Sequence, residues 1–154
     1  MKEDKWAMVK IPTKVLLVDD EKDFVEMLSL RLQEAGEKVH TAYSGKECLD
    51  TLNETEIDVV ILDIKMPGMD GMETLGEIRK RLPLVEVIML TGHGSTETAV
   101  EGMKLGAFDY LMKPADFKEL TAKLQGARKR KDDQEERIRQ AEAKLLMRKS
   151  GGAF

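Results

Sequence analysis

Short aliphatic and β-branched runs return along this chain at intervals of 20 to 27 residues, beginning near Lys14, Lys38, Asp58, Val85 and Asp109. Each interval has room for a strand, a helix and two short loops, so the repetition predicts five βα units and a parallel sheet. The runs Val15-Leu16-Leu17-Val18, Val59-Val60-Ile61-Leu62 and Val87-Ile88-Met89-Leu90 do not alternate with polar residues. Strands covered by helices on both faces read this way. In the first helix Phe24, Leu28, Leu32 and Ala35 follow at spacings of 4, 4 and 3, and Gly36 stops it. Ser95 is positioned to cap a helix running through Leu105, with Thr98 where a capping box would carry Glu and Gly106 just past its end. No GxGxxG or GxxxxGK follows any strand, which removes the main support for a dinucleotide or P-loop site.

A length of 154 residues suits one domain with an appendage, and 42% hydrophobic residues supply a core. The aliphatic runs stop at four residues, too short to span a membrane. The start, Met1-Lys2-Glu3-Asp4-Lys5-Trp6, is charged and lacks the apolar stretch of a signal peptide. Cys48 is the single cysteine, so a disulfide framework and a CxxC metal knuckle are both excluded. A cytoplasmic protein is expected. Charge is uneven: residues 1–127 carry 16 Lys+Arg against 24 Asp+Glu, and residues 128–154 carry 9 against 5. An acidic body argues against direct nucleic-acid binding, which needs clustered positive surface. The run Arg128-Lys129-Arg130-Lys131 could touch an anionic partner, although such runs are more often a solvated helix face.

In a parallel α/β sheet ligands sit beyond the carboxyl ends of the strands. Here those ends carry Asp19-Asp20 after strand one, Asp63 after strand three, Thr91 after strand four and Lys113-Pro114 after strand five. Singly, each has a plain structural use as a helix cap or turn residue. Together they bring three carboxylates, a hydroxyl and an amine to one edge. Carboxylates held close repel, by about 4 kcal/mol per pair at 4 Å and an effective dielectric of 20, so a cation belongs among them. The all-oxygen donor set suits Mg²⁺, or Mn²⁺, better than zinc. With Lys113 added, the net charge falls near zero and the site can accept a phosphoryl group.

The chain resembles the receiver domains of two-component response regulators. The resemblance is carried by Val15-Leu16-Leu17-Val18-Asp19-Asp20, Leu62-Asp63-Ile64-Lys65-Met66-Pro67-Gly68-Met69-Asp70-Gly71, Leu90-Thr91-Gly92-His93-Gly94 and Gly106-Ala107-Phe108-Asp109-Tyr110-Leu111-Met112-Lys113-Pro114. It covers about residues 13–127 and is most similar to receivers of nitrogen-regulator-type transcriptional activators. It implies a flavodoxin-like, doubly wound sheet in the order 2-1-3-4-5 with five helices. It also implies that Asp63 accepts a phosphoryl group from a phosphohistidine on a sensor histidine kinase. Asp20 and Asp63 would bind Mg²⁺ directly, Asp19 mostly through water, and the backbone carbonyl of Lys65 would complete the protein ligands. Thr91 and Lys113 would bind phosphoryl oxygens, Thr91 and Tyr110 would form a switch pair, and the Lys113-Pro114 peptide would be cis. Lys65 stands where dehalogenase-like phosphatases carry a second Asp, so a true hydrolase is not expected; catalysis would extend only to the chain's own phosphorylation and dephosphorylation.

Other chemistry-bearing residues have structural readings. His93 and His40 belong to a loop and a strand, Met66, Met69 and Met72 to loop packing, and Cys48 to the inside of the second helix. After Pro114 the pattern is helical almost to Lys149, with Gly126 the weak point at about 1 kcal/mol relative to Ala. Phe117, Leu120, Leu124, Ala127, Lys131, Gln134, Ile138, Ala141 and Leu145 trace a heptad in which Lys131 and Gln134 form a polar break. The expected organisation is an N-terminal extension (1–12), a receiver domain (13–127), a charged helical linker (128–149) and a tail (150–154). A homodimer through the last helix and an output domain or partner protein are expected, and no membrane. The alternative is a phosphorylation-independent interaction module on the same fold.

Overall fold

The computed structural model describes residues 11–65, 70–92 and 96–151. Five strands, β1 (Lys14–Val18), β2 (Lys38–Ala42), β3 (Val59–Asp63), β4 (Glu86–Thr91) and β5 (Asp109–Met112), alternate with five helices, α1 (Lys22–Glu34), α2 (Gly45–Glu54), α3 (Gly71–Arg81), α4 (Thr96–Lys104) and α5 (Phe117–Lys149). All strand pairs are parallel and the order is β2-β1-β3-β4-β5. This is the flavodoxin-like arrangement expected from the sequence.

The non-alternating runs occupy the middle of the sheet and are covered on both sides. Leu16, Val60, Leu62 and Met89 pack against Cys48, Leu75 and Ile78 on one face, while Val15, Leu17, Ile61, Ile88 and Leu90 meet Val25, Leu28, Leu32, Leu120 and Leu124 on the other. Burial pushes the Cys48 thiol up to about 12, which suits packing and not reactivity. On α1 the expected Leu28 and Leu32 are buried and Phe24 packs half-buried against the core, while Val25, outside the expected spacing, is fully buried. The Lys113 ammonium sits 4.4 Å from the centre of the Phe24 ring.

Among the described residues, side-chain caps start two helices. Ser44 accepts from the Glu47 N–H at 3.1 Å at the head of α2, and Asp70 accepts from the Glu73 N–H at 2.8 Å at the head of α3. Gly36 and Gly106 follow α1 and α4 with φ of 93° and 103°, a backbone region that favours glycine. Ser95 lies outside the described residues, as do His93, Met66 and Met69. His40 is half-buried in β2, Met72 packs partly buried against the core, and the Lys113-Pro114 peptide is cis.

The last helix runs to Lys149, as expected, and its first apolar residues Leu120, Leu124 and Ala127 complete the core. Gly126 has a packing reason: a Cβ there would lie 3.1 Å from the Phe108 ring. The polar break is different from the expected one. Lys131 is buried, at 6% exposure, whereas Ile138 and Leu145 further along are 43% and 53% exposed. Among the described residues no helix is long and apolar enough to cross a membrane.

Candidate functional site

Parallel strands place their carboxyl ends on one edge, so the residues that follow β1, β3, β4 and β5 meet although they are far apart in sequence. Asp19, Asp20 and Asp63 each bring a carboxylate oxygen to within 4.8 Å of the others. Asp19 is fully buried and held at both oxygens: one accepts from the Glu21 N–H at 2.9 Å, the other from Lys113 Nζ at 2.5 Å. Asp63, at 4% exposure, accepts from the Lys65 N–H at 3.2 Å and stands 3.8 Å from Lys113 Nζ. Asp20 is exposed and faces the solvent side of the cluster. The cleft therefore has a rigid inner acid and an open outer one.

The electrostatics follow from this crowding. Burial, then the neighbouring charge of Asp19, push the Asp63 carboxyl up to about 6; Lys113 and the Lys65 N–H pull the other way, and Asp20 adds to the rise. Burial opposes the Lys113 ammonium, but the hydrogen bond to Asp19 and the charges of Asp63, Asp19 and Glu21 outweigh it, leaving its pKa above the ordinary lysine value. One ammonium among three carboxylates leaves an excess of negative charge. The donors are hard oxygens at separations that one small divalent cation can bridge, so Asp19, Asp20 and Asp63 fit Mg²⁺ or Mn²⁺.

Thr91 ends β4, buried at 5% exposure, and its hydroxyl donates weakly to the Leu111 carbonyl at 3.4 Å. The backbone of Lys113 donates to the Thr91 carbonyl at 2.8 Å, tying the two residues to one site. Tyr110 pairs in register with Met89, two residues before Thr91 on the same sheet face, and is 40% exposed. All the residues singled out in the sequence at the strand ends thus gather at one edge, with the Tyr110 ring outside it.

A model of the response regulator receiver domain matches residues 15–125. The chain belongs to the response regulator receiver family. Solved receivers superpose closely. A receiver-domain protein from Clostridium thermocellum is 42% identical with a TM-score of 0.75, covering 78% of this chain and 97% of its own. A Francisella response regulator receiver is 36% identical with a TM-score of 0.72, covering 77% and 98%. The receiver domain of NtrX from Brucella abortus is 34% identical with a TM-score of 0.72, covering 75% of this chain and 98% of that domain. Against longer Brucella abortus NtrX the identity is 32% and the TM-score 0.77, and the match covers 82% of this chain but 29% of NtrX. The nearness to NtrX receivers agrees with the nitrogen-regulator type read from the motifs.

Three residues beside this site carry no site role in the sequence reading. Glu21 lies 3.8 Å from Lys113 Nζ, and Phe24 offers that ammonium its ring face. Gly71 is the third. Its N–H donates to the Ile64 carbonyl at 2.9 Å, and a Cβ on it would stand 2.4 Å from Ile64 Cα and 2.5 Å from the Asp63 carbonyl oxygen. A glycine directly after the capping Asp70, where a helix former would be favoured, was the available signal. Gly71→Ala is expected to destabilise the receiver by about 3 kcal/mol, since backbone and not a mobile side chain must yield. A urea midpoint equal to wild type would contradict the close approach.

The raised Asp63 pKa has a stability consequence. A carboxyl whose pKa is higher folded than unfolded contributes most at low pH and loses that contribution as pH rises through about 6. In chelator, Asp63→Asn is therefore expected to stabilise the receiver by about 1–3 kcal/mol at about pH 7.5, with the gain shrinking toward about pH 4. Urea unfolding at both pH values checks this. A variant less stable than wild type at the higher pH would contradict it.

Proposed function

We propose that Asp63 of this receiver accepts a phosphoryl group from the phosphohistidine of a sensor histidine kinase in a Mg²⁺-dependent reaction, and that the modified receiver switches a dimerisation or docking surface. One observation carries the reading: three carboxylates within 4.8 Å of one another share a cleft with a lysine that reaches both Asp19 and Asp63. An Asp63 oxygen attacks phosphorus, a P–O bond forms as the P–N bond to histidine breaks, and the electron pair leaves with the imidazole. Burial and Asp19 hold the cation-free Asp63 carboxyl up at about 6, and a cation bound beside it would favour the carboxylate that attacks. Asp19, Asp20, Asp63 and the backbone carbonyl of Lys65 are the residues that would hold the cation. Bound there, Mg²⁺ supplies charge neutralisation for the phosphoryl oxygens.

Lys113 and Thr91 do the remaining work. The ammonium, oriented by Asp19, is positioned to pair with a phosphoryl oxygen once Asp63 carries it. The Thr91 hydroxyl, which donates over a long 3.4 Å to the Leu111 carbonyl, is available to turn toward a new acceptor. That movement vacates space on the face it shares with Tyr110, into which the exposed ring can rotate, a two-state element biased by a new acceptor. Strand β5 leads through Lys113-Pro114 into α5, so the surface that changes includes the helix carrying Ile138 and Leu145.

The expected outcome is a hydroxylamine-labile acyl phosphate and an altered monomer–dimer constant. Sedimentation with and without beryllofluoride and Mg²⁺ should show a change of roughly 5- to 150-fold, the range of a 1–3 kcal/mol coupling, and Thr91→Ala should blunt it. Identical constants in both states would leave α5 a passive linker.

A further inference from the structure

We propose that Arg128, Arg130 and Lys131 form an ionic clasp that fastens the first turns of the linker to the amino-terminal edge of the sheet, so that α5 leaves the receiver in one fixed direction and carries displacements outward as a rigid lever. Its signalling consequence rests on the function proposed above; the clasp itself does not.

Asp58 precedes β3 and Glu86 opens β4, and both are buried, at 6% and 4% exposure. They lie at the edge opposite the phosphorylation site. Buried carboxylates must be paired, and here α5 supplies the cations. Lys131 Nζ is 3.1 Å from one Asp58 oxygen and Arg128 is 3.4 Å from the other, which also accepts the Lys14 N–H at 2.8 Å. The acid is thus pinned to β1 before it meets the linker. Glu86 stands 3.4 Å from both Arg79 and Arg130, and its Oε2 is the one buried side-chain oxygen among the described residues without a hydrogen-bond partner. The Arg130 charge is what compensates it.

Two further contacts show that the linker is held and not merely adjacent. Arg128 donates to the Pro12 carbonyl at 3.0 Å, binding the entry of β1. Arg130 lies 5.9 Å from the centre of the Phe108 ring, the same ring that fills the space left by Gly126. Lys131 pairs along the helix with Glu135 as well as with Asp58. Burial disfavours the Lys131 ammonium, yet Glu135 and Asp58 raise its pKa above the ordinary value. A helix needed only to cover the sheet has finished at Ala127. The next turn buries a lysine, whose ammonium must be paired to offset its desolvation and whose partner Asp58 lies on the sheet, so the pair fixes direction. Lys129, 77% exposed at its side chain, pairs with Asp133, so the basic run is engaged with acids of its own chain and is not a free anion-binding face.

Backbone hydrogen exchange of the full chain, at concentrations where it is monomeric and without metal, tests the clasp. The double variant Arg130→Met/Lys131→Met leaves Arg79 on Glu86 and Arg128 on Asp58, so each acid keeps one cation. Residues 132–140 should then exchange about tenfold faster while the strands keep wild-type protection. The charge-conserving Arg130→Lys/Lys131→Arg should stay near wild type. Unchanged exchange in the methionine variant would overturn the clasp, and so would faster exchange throughout the strands, which would make these pairs general fold stabilisers. With acetyl phosphate and Mg²⁺ the methionine variant should be labelled at the wild-type rate, yet beryllofluoride should no longer shift its dimer constant. A shift of wild-type size would overturn the lever. Failure of the wild type itself to be labelled would count against the phosphoryl-acceptor reading and leave the exchange result standing on its own.

Discussion

Chelating divalent cations is expected to slow labelling of this receiver by acetyl phosphate about 100-fold or more, with recovery on adding Mg²⁺ or Mn²⁺. The cause is visible in the charges. An incoming phosphoryl dianion meets Asp19, Asp20 and Asp63 clustered within 4.8 Å, and the Lys113 ammonium is already committed to Asp19 at 2.5 Å. Each uncompensated like-charge pair near 4 Å costs about 4 kcal/mol at an effective dielectric of 20, several times the 1.4 kcal/mol that makes a tenfold rate difference. Protonating Asp63, which its pKa of about 6 permits, would relieve the crowding but remove the nucleophile. A cation therefore does what neither Lys113 nor a proton can. Intact-mass time courses in chelator and in Mg²⁺ measure the ratio, and equal rates would show that the acid cluster has another purpose.

The reach of the sequence follows from which constraints are topological. Once the aliphatic runs are read as parallel strands, the residues ending β1, β3, β4 and β5 must share an edge whatever their side chains do, so Asp19, Asp20, Asp63, Thr91 and Lys113 were legible together. The strand order came from the resemblance of the motifs around those same residues. What escaped was set by packing. The spacing on α1 picks out Phe24 but not Val25, which is fully buried, while Phe24 packs half-buried with its ring beneath the Lys113 ammonium. Gly71 mattered because the backbone at Asp63 and Ile64 passes too close for a Cβ, a distance that no periodicity encodes.

The last helix shows the same division more sharply. A heptad traced on Phe117 through Leu145 locates the helix but treats Lys131 as an interruption. In the structure Lys131 continues the buried stripe, because the same spacing that brings Leu124 and Ala127 onto the sheet brings Lys131 onto Asp58. A charge at a seam position can be a break in one interface and a partner in another. Position in the heptad alone does not distinguish them.

The most direct measurement is the modified mass of wild type and Asp63→Asn after incubation with acetyl phosphate and Mg²⁺, followed by peptide mapping. Wild type should gain one phosphoryl group, labile to hydroxylamine, on the peptide containing Asp63, and Asp63→Asn should stay at its unmodified mass. Incorporation into Asp63→Asn at the wild-type rate, or a label mapped to another residue, would contradict the assignment of Asp63 as the acceptor.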